Sequence, residues 1–272
     1  MRKLGINWGK SNTYGGVTKQ CYVTHLYREP FYLNINGILT LFSYLANSLL
    51  IYQIIILLLQ PQNPNGIAMA GIYLHIPFCK TRCIYCDFYS TTRNELKSRY
   101  VQALCRELEM RKEYLKREDI ETVYFGGGTP SQLGKEDFEL IFETIRTHYG
   151  LNHCQEITLE ANPDDLTSEY LGMLSSLPFN RLSMGIQTFD DNTLKLLKRR
   201  HNARAAIEAV SRCRESGFRN ISIDLIYGLP GETKERWEND LRQAIALNVE
   251  HISAYHLIYE EDTLIYKMLK QH

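Results

Sequence analysis

The sequence predicts an α/β fold: an open parallel sheet with outer helices, either doubly wound or curled into a partial (βα)6 barrel. Three observations lead there. From Met69 onward, short apolar runs rich in Ile, Val and Tyr alternate six times with charged amphipathic segments, the pattern of parallel strands joined by crossover helices. Each apolar run is followed by glycines, cysteines or isolated polar residues, where such sheets place functional groups. The chain also stops at His272, inside what reads as another helix, two units short of a closed (βα)8 barrel.

The elements follow in order. "GIYLHIP" (71–77) is a short apolar run with β-formers, a strand. In 94–115, Tyr100, Ala103, Leu104 and Leu108 recur at helical spacing. "IETVYF" (120–125) is the second strand and "KEDFELIFETIRTHY" (135–149) an amphipathic helix. "QEITLEAN" (155–162) and "NRLSMGI" (180–186) are the third and fourth strands, with a helix in 168–177 between them. Helices in 191–200 and 203–217 lead to the fifth strand, "NISIDLIYG" (220–228). A helix in 234–247 leads to the sixth, "HISAYHLI" (251–258).

Composition narrows the function. Formal net charge is zero, so nucleic acid is not an expected main partner. Seven cysteines, an odd number and unevenly clustered, argue against a disulfide-stapled secreted protein and for a reducing compartment. The expected location is cytoplasmic.

Residues 1–68 read differently, as an atypical N-terminal extension before a core at 69–272. They carry five basic residues against the single acid Glu29, and residues 38–59 are uncharged. That run of 22 residues is long enough to span a bilayer as a helix. As an anchor it would give membrane contact. But all the basic residues of the extension precede it, an arrangement that would export the core and expose its thiols to oxidation. The preferred expectation is that 1–68 are upstream sequence read from too early a start, with Met69 as the true beginning.

The chemistry gathers at strand ends. After the first strand come Cys79, Cys83 and Cys86, three thiols within eight residues. Thiolates select zinc, copper(I) or iron–sulfur clusters. Structural zinc sites take four ligands, so three point to a four-iron cluster with one iron left open; zinc completed by His75 or Asp87 is the alternative. Cys105 and Cys213 sit in amphipathic segments and read as small buried hydrophobes. "GGGTP" (126–130) follows the second strand, Glu160 ends the third, Gln187 the fourth, and Asp224 and Tyr227 the fifth. Tyr255 and His256 end the sixth. The glycines would permit close backbone approach to a ligand. Arg199 and Arg200 also fit a solvated face.

Taken together, "YLHIPFCKTRCIYCDF", "GGGTPS", "SMGIQTF" and "DLIYGLPGET" resemble the radical S-adenosylmethionine (SAM) family. Within it they are most similar to the group of oxygen-independent coproporphyrinogen III oxidases and HemW-type heme chaperones. The resemblance runs from about Met69 to His272, and residues 1–68 have no counterpart in it. It implies the partial (βα)6 barrel. It further implies a [4Fe–4S] cluster on Cys79, Cys83 and Cys86, with SAM on the open iron. Tyr73, Tyr85, Gly127, Gly128, Thr129, Glu160, Gln187, Arg199 and Asp224 match the family's SAM-contacting positions.

The oxidases carry a fourth cysteine two places after the third, where this chain has Phe88, as the heme chaperones do. The resemblance therefore implies a heme chaperone rather than the decarboxylating oxidase. Heme or a porphyrin would be its cargo, heme-accepting respiratory proteins its partners, and a reductant protein its electron source. The alternative is the oxidase itself, decarboxylating coproporphyrinogen III to protoporphyrinogen IX. The C-terminal region that family members carry after the barrel, which holds a heme-binding motif in the chaperones, is expected to be missing.

Overall fold

A computed structural model describes residues 24–28, 69–115 and 119–271. The expectations for 38–59 and for the start of the chain lie outside these residues. Among the described residues no helix is long and apolar enough to cross a membrane.

Seven strands form one sheet in sequence order. Strand β1 (Thr24–Arg28) pairs antiparallel with β2 (Met69–Ile76). From β2 the sheet is parallel through β3 (Asp119–Gly127), β4 (Glu156–Ala161), β5 (Arg181–Gln187), β6 (Asn220–Tyr227) and β7 (His251–His256). Helices alternate with them: α1 (Lys97–Met110), α2 (Lys135–His148), α3 (Ser168–Leu174), α4 (Asp191–Leu196), α5 (Ala203–Glu215), α6 (Lys234–Ala246) and α7 (Leu264–Leu269). The six parallel strands and their connecting helices are the open (βα)6 arrangement expected. Strand β1 was not foreseen.

Period-2 patterning divides the sheet faces. Ile72, Leu74 and Ile76 of β2 are buried on the outer face, while Tyr73 and His75 on the inner face stay half-exposed. In β4, β5 and β6 the outer-face residues are likewise buried, and on the inner face Thr158, Ser183 and Ser222 are buried as well. Helices cover the outer face with Leu104 and Leu108 of α1, Phe138 and Phe142 of α2, and Ala206 and Val210 of α5. Cys213 is buried in this core, but Cys105 is only half-buried, because it stands at the margin of the α1 stripe.

The densest part of the core is aromatic. Phe125 of β3 lies 5.2–5.7 Å, centroid to centroid, from Phe138, Phe142 and Phe179, in tilted or edge-on geometry. Such contacts add to area burial. Five helices begin at side-chain caps: Thr167, Asp190, Asn202, Thr233 and Thr263 each accept a first-turn amide. The helices therefore start at defined residues, and the loops before them have fixed ends. Replacing Phe125 with Ala should cost about 3–5 kcal/mol, measured by urea denaturation of the purified protein.

Candidate functional site

The cysteine loop is closed at its base by two backbone hydrogen bonds. Cys79 N–H donates to Thr91 O at 2.9 Å and Thr91 N–H to Pro77 O at 2.7 Å. Its middle is held by Ile84, buried with Leu197, Ile226, Leu229, Leu257 and Ile265. Ile84 also donates to Leu197 O and accepts from Ile265 N–H. The residue between Cys83 and Tyr85 is thus an apolar anchor, and the thiols project from a fixed backbone.

Two sulfurs already have donors. Thr129 Oγ1–H donates to Cys79 Sγ at 3.4 Å, and Arg199 Nη1–H to Cys83 Sγ at 3.5 Å. Burial pushes the Cys79 thiol up, with the Thr129 hydrogen bond acting against it, and pushes Cys86 up to about 11. A metal taking these sulfurs must displace protons. Arg199 is not part of a solvated face: its guanidinium also donates to Asn162 Oδ1 at 2.6 Å and to Gly185 O. Its Nε is buried with no partner among the described residues. Tyr85 stands against Arg199, Cys83 and Cys86, and burial drives its phenol far above the ordinary range.

A second group lines the inner face beside it. Tyr73 stacks on Tyr124 at 5.8 Å. Glu160 accepts from Tyr124 O–H at 2.7 Å and from Gly127 N–H at 3.1 Å. Burial first, and then the Glu160 charge, raise the Tyr124 phenol; Asp224 adds to the effect and so faces the same ring. Asp224 lies within β6, three residues before its end, not at the end as expected. Gln187 closes β5 with φ 75° beside a register shift, in a region a non-glycine residue seldom occupies. Its amide lies over Gly185, whose carbonyl holds Arg199.

The glycine run serves the protein's own packing. A Cβ on Gly126 would meet the Tyr73 ring at 2.9 Å, and one on Gly127 the His75 ring at 2.6 Å. On Gly128 it would meet Pro77 backbone at 2.8 Å. The close approach expected toward a ligand is made first toward the end of β2. Gly128 N–H donates to Ile76 O at 2.8 Å, which sets Thr129 over Cys79.

The twelve residues matched to cluster and SAM positions gather at the carboxyl half of the sheet. The thiols, Tyr85, Thr129 and Arg199 surround the cysteine loop. Tyr73, Gly127, Glu160 and Asp224 meet around Tyr124. Gly128 and Gln187 join the two groups. Sequence reasoning missed Tyr124, Asn162, Asp165 and His201, and assigned no role to Lys80. Asn162, Asp165 and His201 stood in view as polar residues of "ANPDD" and "KRRHN", Tyr124 in "IETVYF" and Lys80 in "CKTRC", but only three-dimensional pairing gives them partners.

Three soft thiols, an arginine with a donor to spare and a glycine-lined approach fit a thiolate-held cluster with an anionic ligand beside it. They fit a single ion less well. No three thiol, imidazole or carboxylate groups among the described residues converge on one metal position. His75 is already engaged, with Nε2 2.9 Å from Tyr89 O.

A parallel (βα)6 sheet with a three-thiol loop after its first parallel strand defines a class of radical-generating metalloproteins. The chain belongs to the Radical SAM superfamily, which matches residues 73–244. That membership implies a [4Fe–4S] cluster and SAM as cofactors. The heme chaperone HemW of Bacillus subtilis is 38% identical over 205 residues, 75% of this chain and 54% of that protein. HemW of Mycobacterium tuberculosis is 36% identical over 205 residues, 74% of this chain and 53% of the relative. The chain thus spans about half the length of the curated relatives it matches. Among solved structures, coproporphyrinogen III oxidase (HemN) from Escherichia coli, a radical SAM enzyme, superposes with a TM-score of 0.66 at 29% identity. That match covers 72% of this chain and 46% of the oxidase.

His201 makes the site acid-sensitive. Burial, then the Arg199 charge, push its imidazole from 6.5 down to about 3. Below pH 6.5 the unfolded chain takes a proton that the folded chain refuses. Stability is therefore complete above about pH 6.5 and falls toward pH 3, by about 1.4 kcal/mol per pH unit from this group. A His201→Gln protein should lose less stability between pH 6 and pH 4 than the parent, measured by urea denaturation at each pH.

Proposed function

We propose that this chain is the cluster- and SAM-binding core of a heme chaperone. The observation that carries the reading is the cysteine loop: three thiols on an anchored backbone, two already hydrogen-bonded by Thr129 and Arg199. Cys79, Cys83 and Cys86 would hold the cluster, and Gly127, Gly128, Glu160, Gln187, Arg199 and Asp224 would hold SAM, with Tyr73 and Tyr85 against it. When bound and reduced, the cluster and SAM together supply a carbon-centred radical. The chain's own residues bind and orient. The Arg199 guanidinium, which keeps its charge, can pair with a carboxylate. The Glu160 carboxylate is shaped by Tyr124 O–H and Gly127 N–H to receive polar hydrogens at its remaining lone pairs.

Support for cargo rather than substrate comes from position 88. Phe88 and its neighbour Tyr89 are 52% and 46% exposed beside the thiols, an aromatic surface that a flat macrocycle would cover. The relatives named above as heme chaperones reach higher identity than the oxidase. Six described cysteines are free thiols, which suits a reducing, cytoplasmic setting. Heme-accepting respiratory proteins and a reductant protein are the proposed partners.

Anaerobic reconstitution with iron and sulfide should give a brown protein that binds SAM, and binds heme more weakly than a chaperone carrying the C-terminal region. Coproporphyrinogen III incubated with it, SAM and a reductant should remain unchanged. Accumulation of protoporphyrinogen IX would favour the oxidase reading. Colourless protein holding one zinc and no SAM would sink both.

A further inference from the structure

One buried carboxylate joins three strand-end loops and the loop between α4 and α5. The Asp165 side chain is 2% exposed. Its Oδ1 accepts from Lys80 Nζ at 2.8 Å, and its Oδ2 from Ser131 Oγ at 2.8 Å and Gln132 Nε2 at 2.7 Å. Arg200 Nη2 lies 3.1 and 3.2 Å from the two oxygens, while its Nη1 pairs with Asp164. Asp165 itself lies in the loop after β4; its partners come from the loops after β2 and β3 and from the loop between α4 and α5.

Each partner sits next to a group that governs a thiol. Lys80 follows Cys79. Ser131 and Gln132 stand just beyond Thr129, whose hydroxyl donates to Cys79 Sγ. Arg200 follows Arg199, which donates to Cys83 Sγ. Asp165 touches no sulfur, yet a shift of its carboxylate would move both sulfur donors and the loop carrying the first thiol. A buried charge with four partners is a poor source of net stability; its demand for satisfied geometry is what makes it a rigid joint.

We propose that Asp165 is the positioning residue of the thiol centre, setting the register of four loops so that Thr129 and Arg199 meet the sulfurs. This rests on the reading that Cys79, Cys83 and Cys86 hold a cluster. Hydrogen bonds to cluster sulfurs tune reduction potential, and loss of such outer partners weakens metal sites about 10- to 100-fold.

The test uses the full chain, reconstituted anaerobically. Asp165→Asn keeps the shape but removes the charge and one acceptor. It should release iron to a chelator about 10- to 100-fold faster than the parent, with a shifted cluster midpoint potential. Lys80→Met severs only the arm to the cysteine loop from a half-exposed side chain; it should speed iron release by a smaller factor, and it carries the test if Asp165→Asn does not fold. Glu250→Gln breaks the Arg214 pair at the opposite end of the sheet; it should change thermal stability without changing iron release. Folded Asp165→Asn, or folded Lys80→Met in its place, with parental iron release and potential would overturn the proposal. A parent protein that takes up no cluster would instead overturn the functional reading beneath it.

Discussion

Rows of apolar side chains run across the outer face of the parallel sheet, and the register they impose places everything else. Leu74 is paired with Phe125, Phe125 with Leu159, Leu159 with Leu182, and Leu182 with Ile221. One step along, Tyr73, Tyr124, Thr158, Arg181 and Asn220 form the neighbouring inner row. A slip of one residue in any pair would turn its apolar set inward and its polar set into the helices. Helix packing thus selects a single register. That register brings Tyr73 onto Tyr124 and lets the β3 glycines meet the end of β2.

The polar site is the counterpart of that apolar order. Its loops cannot be held by hydrophobic contact alone, since they carry backbone groups and charges that need partners. Two devices hold them instead. Ile84 and its small apolar cluster dock the middle of the cysteine loop against the C-terminal segment. Arg199 and Asp165 each satisfy groups from more than one loop, and Glu160 ties β4 to the end of β3. The glycines let these loops come close enough for such bonds to form. The fold therefore delivers a preorganised set of donors and acceptors at one end of the sheet.

Much of this was legible in the sequence. The strands β2 to β7 obey period-2 patterning, and the three thiols occur within one short stretch, so neither needs tertiary information. Four motifs in a fixed order carried the family, and the (βα)6 architecture came with them. What escaped was non-local. Strand β1 finds its partner some forty residues later in the chain, and its five residues carry no signal of their own. The glycines were read as room for a ligand, because nothing in "GGGTP" says that Tyr73, His75 and Pro77 press against it. A solvated face stayed open for Arg199 and Arg200 for the same reason: their partners Asn162, Asp164 and Asp165 lie in another loop. Cys105 was read as fully buried because helical spacing locates a face but not its margin.

The pairing of β1 with β2 has a consequence for assembly. An open sheet ordinarily presents two unpaired edges, and each is a template for another chain. Here the β2 edge is already hydrogen-bonded within the molecule along Ala70 to Leu74. Among the described residues of the parallel sheet, β7 is the remaining edge. On the other side the edge passes from the eight-residue β2 to the five-residue β1, and a short edge strand offers another chain less backbone to pair with.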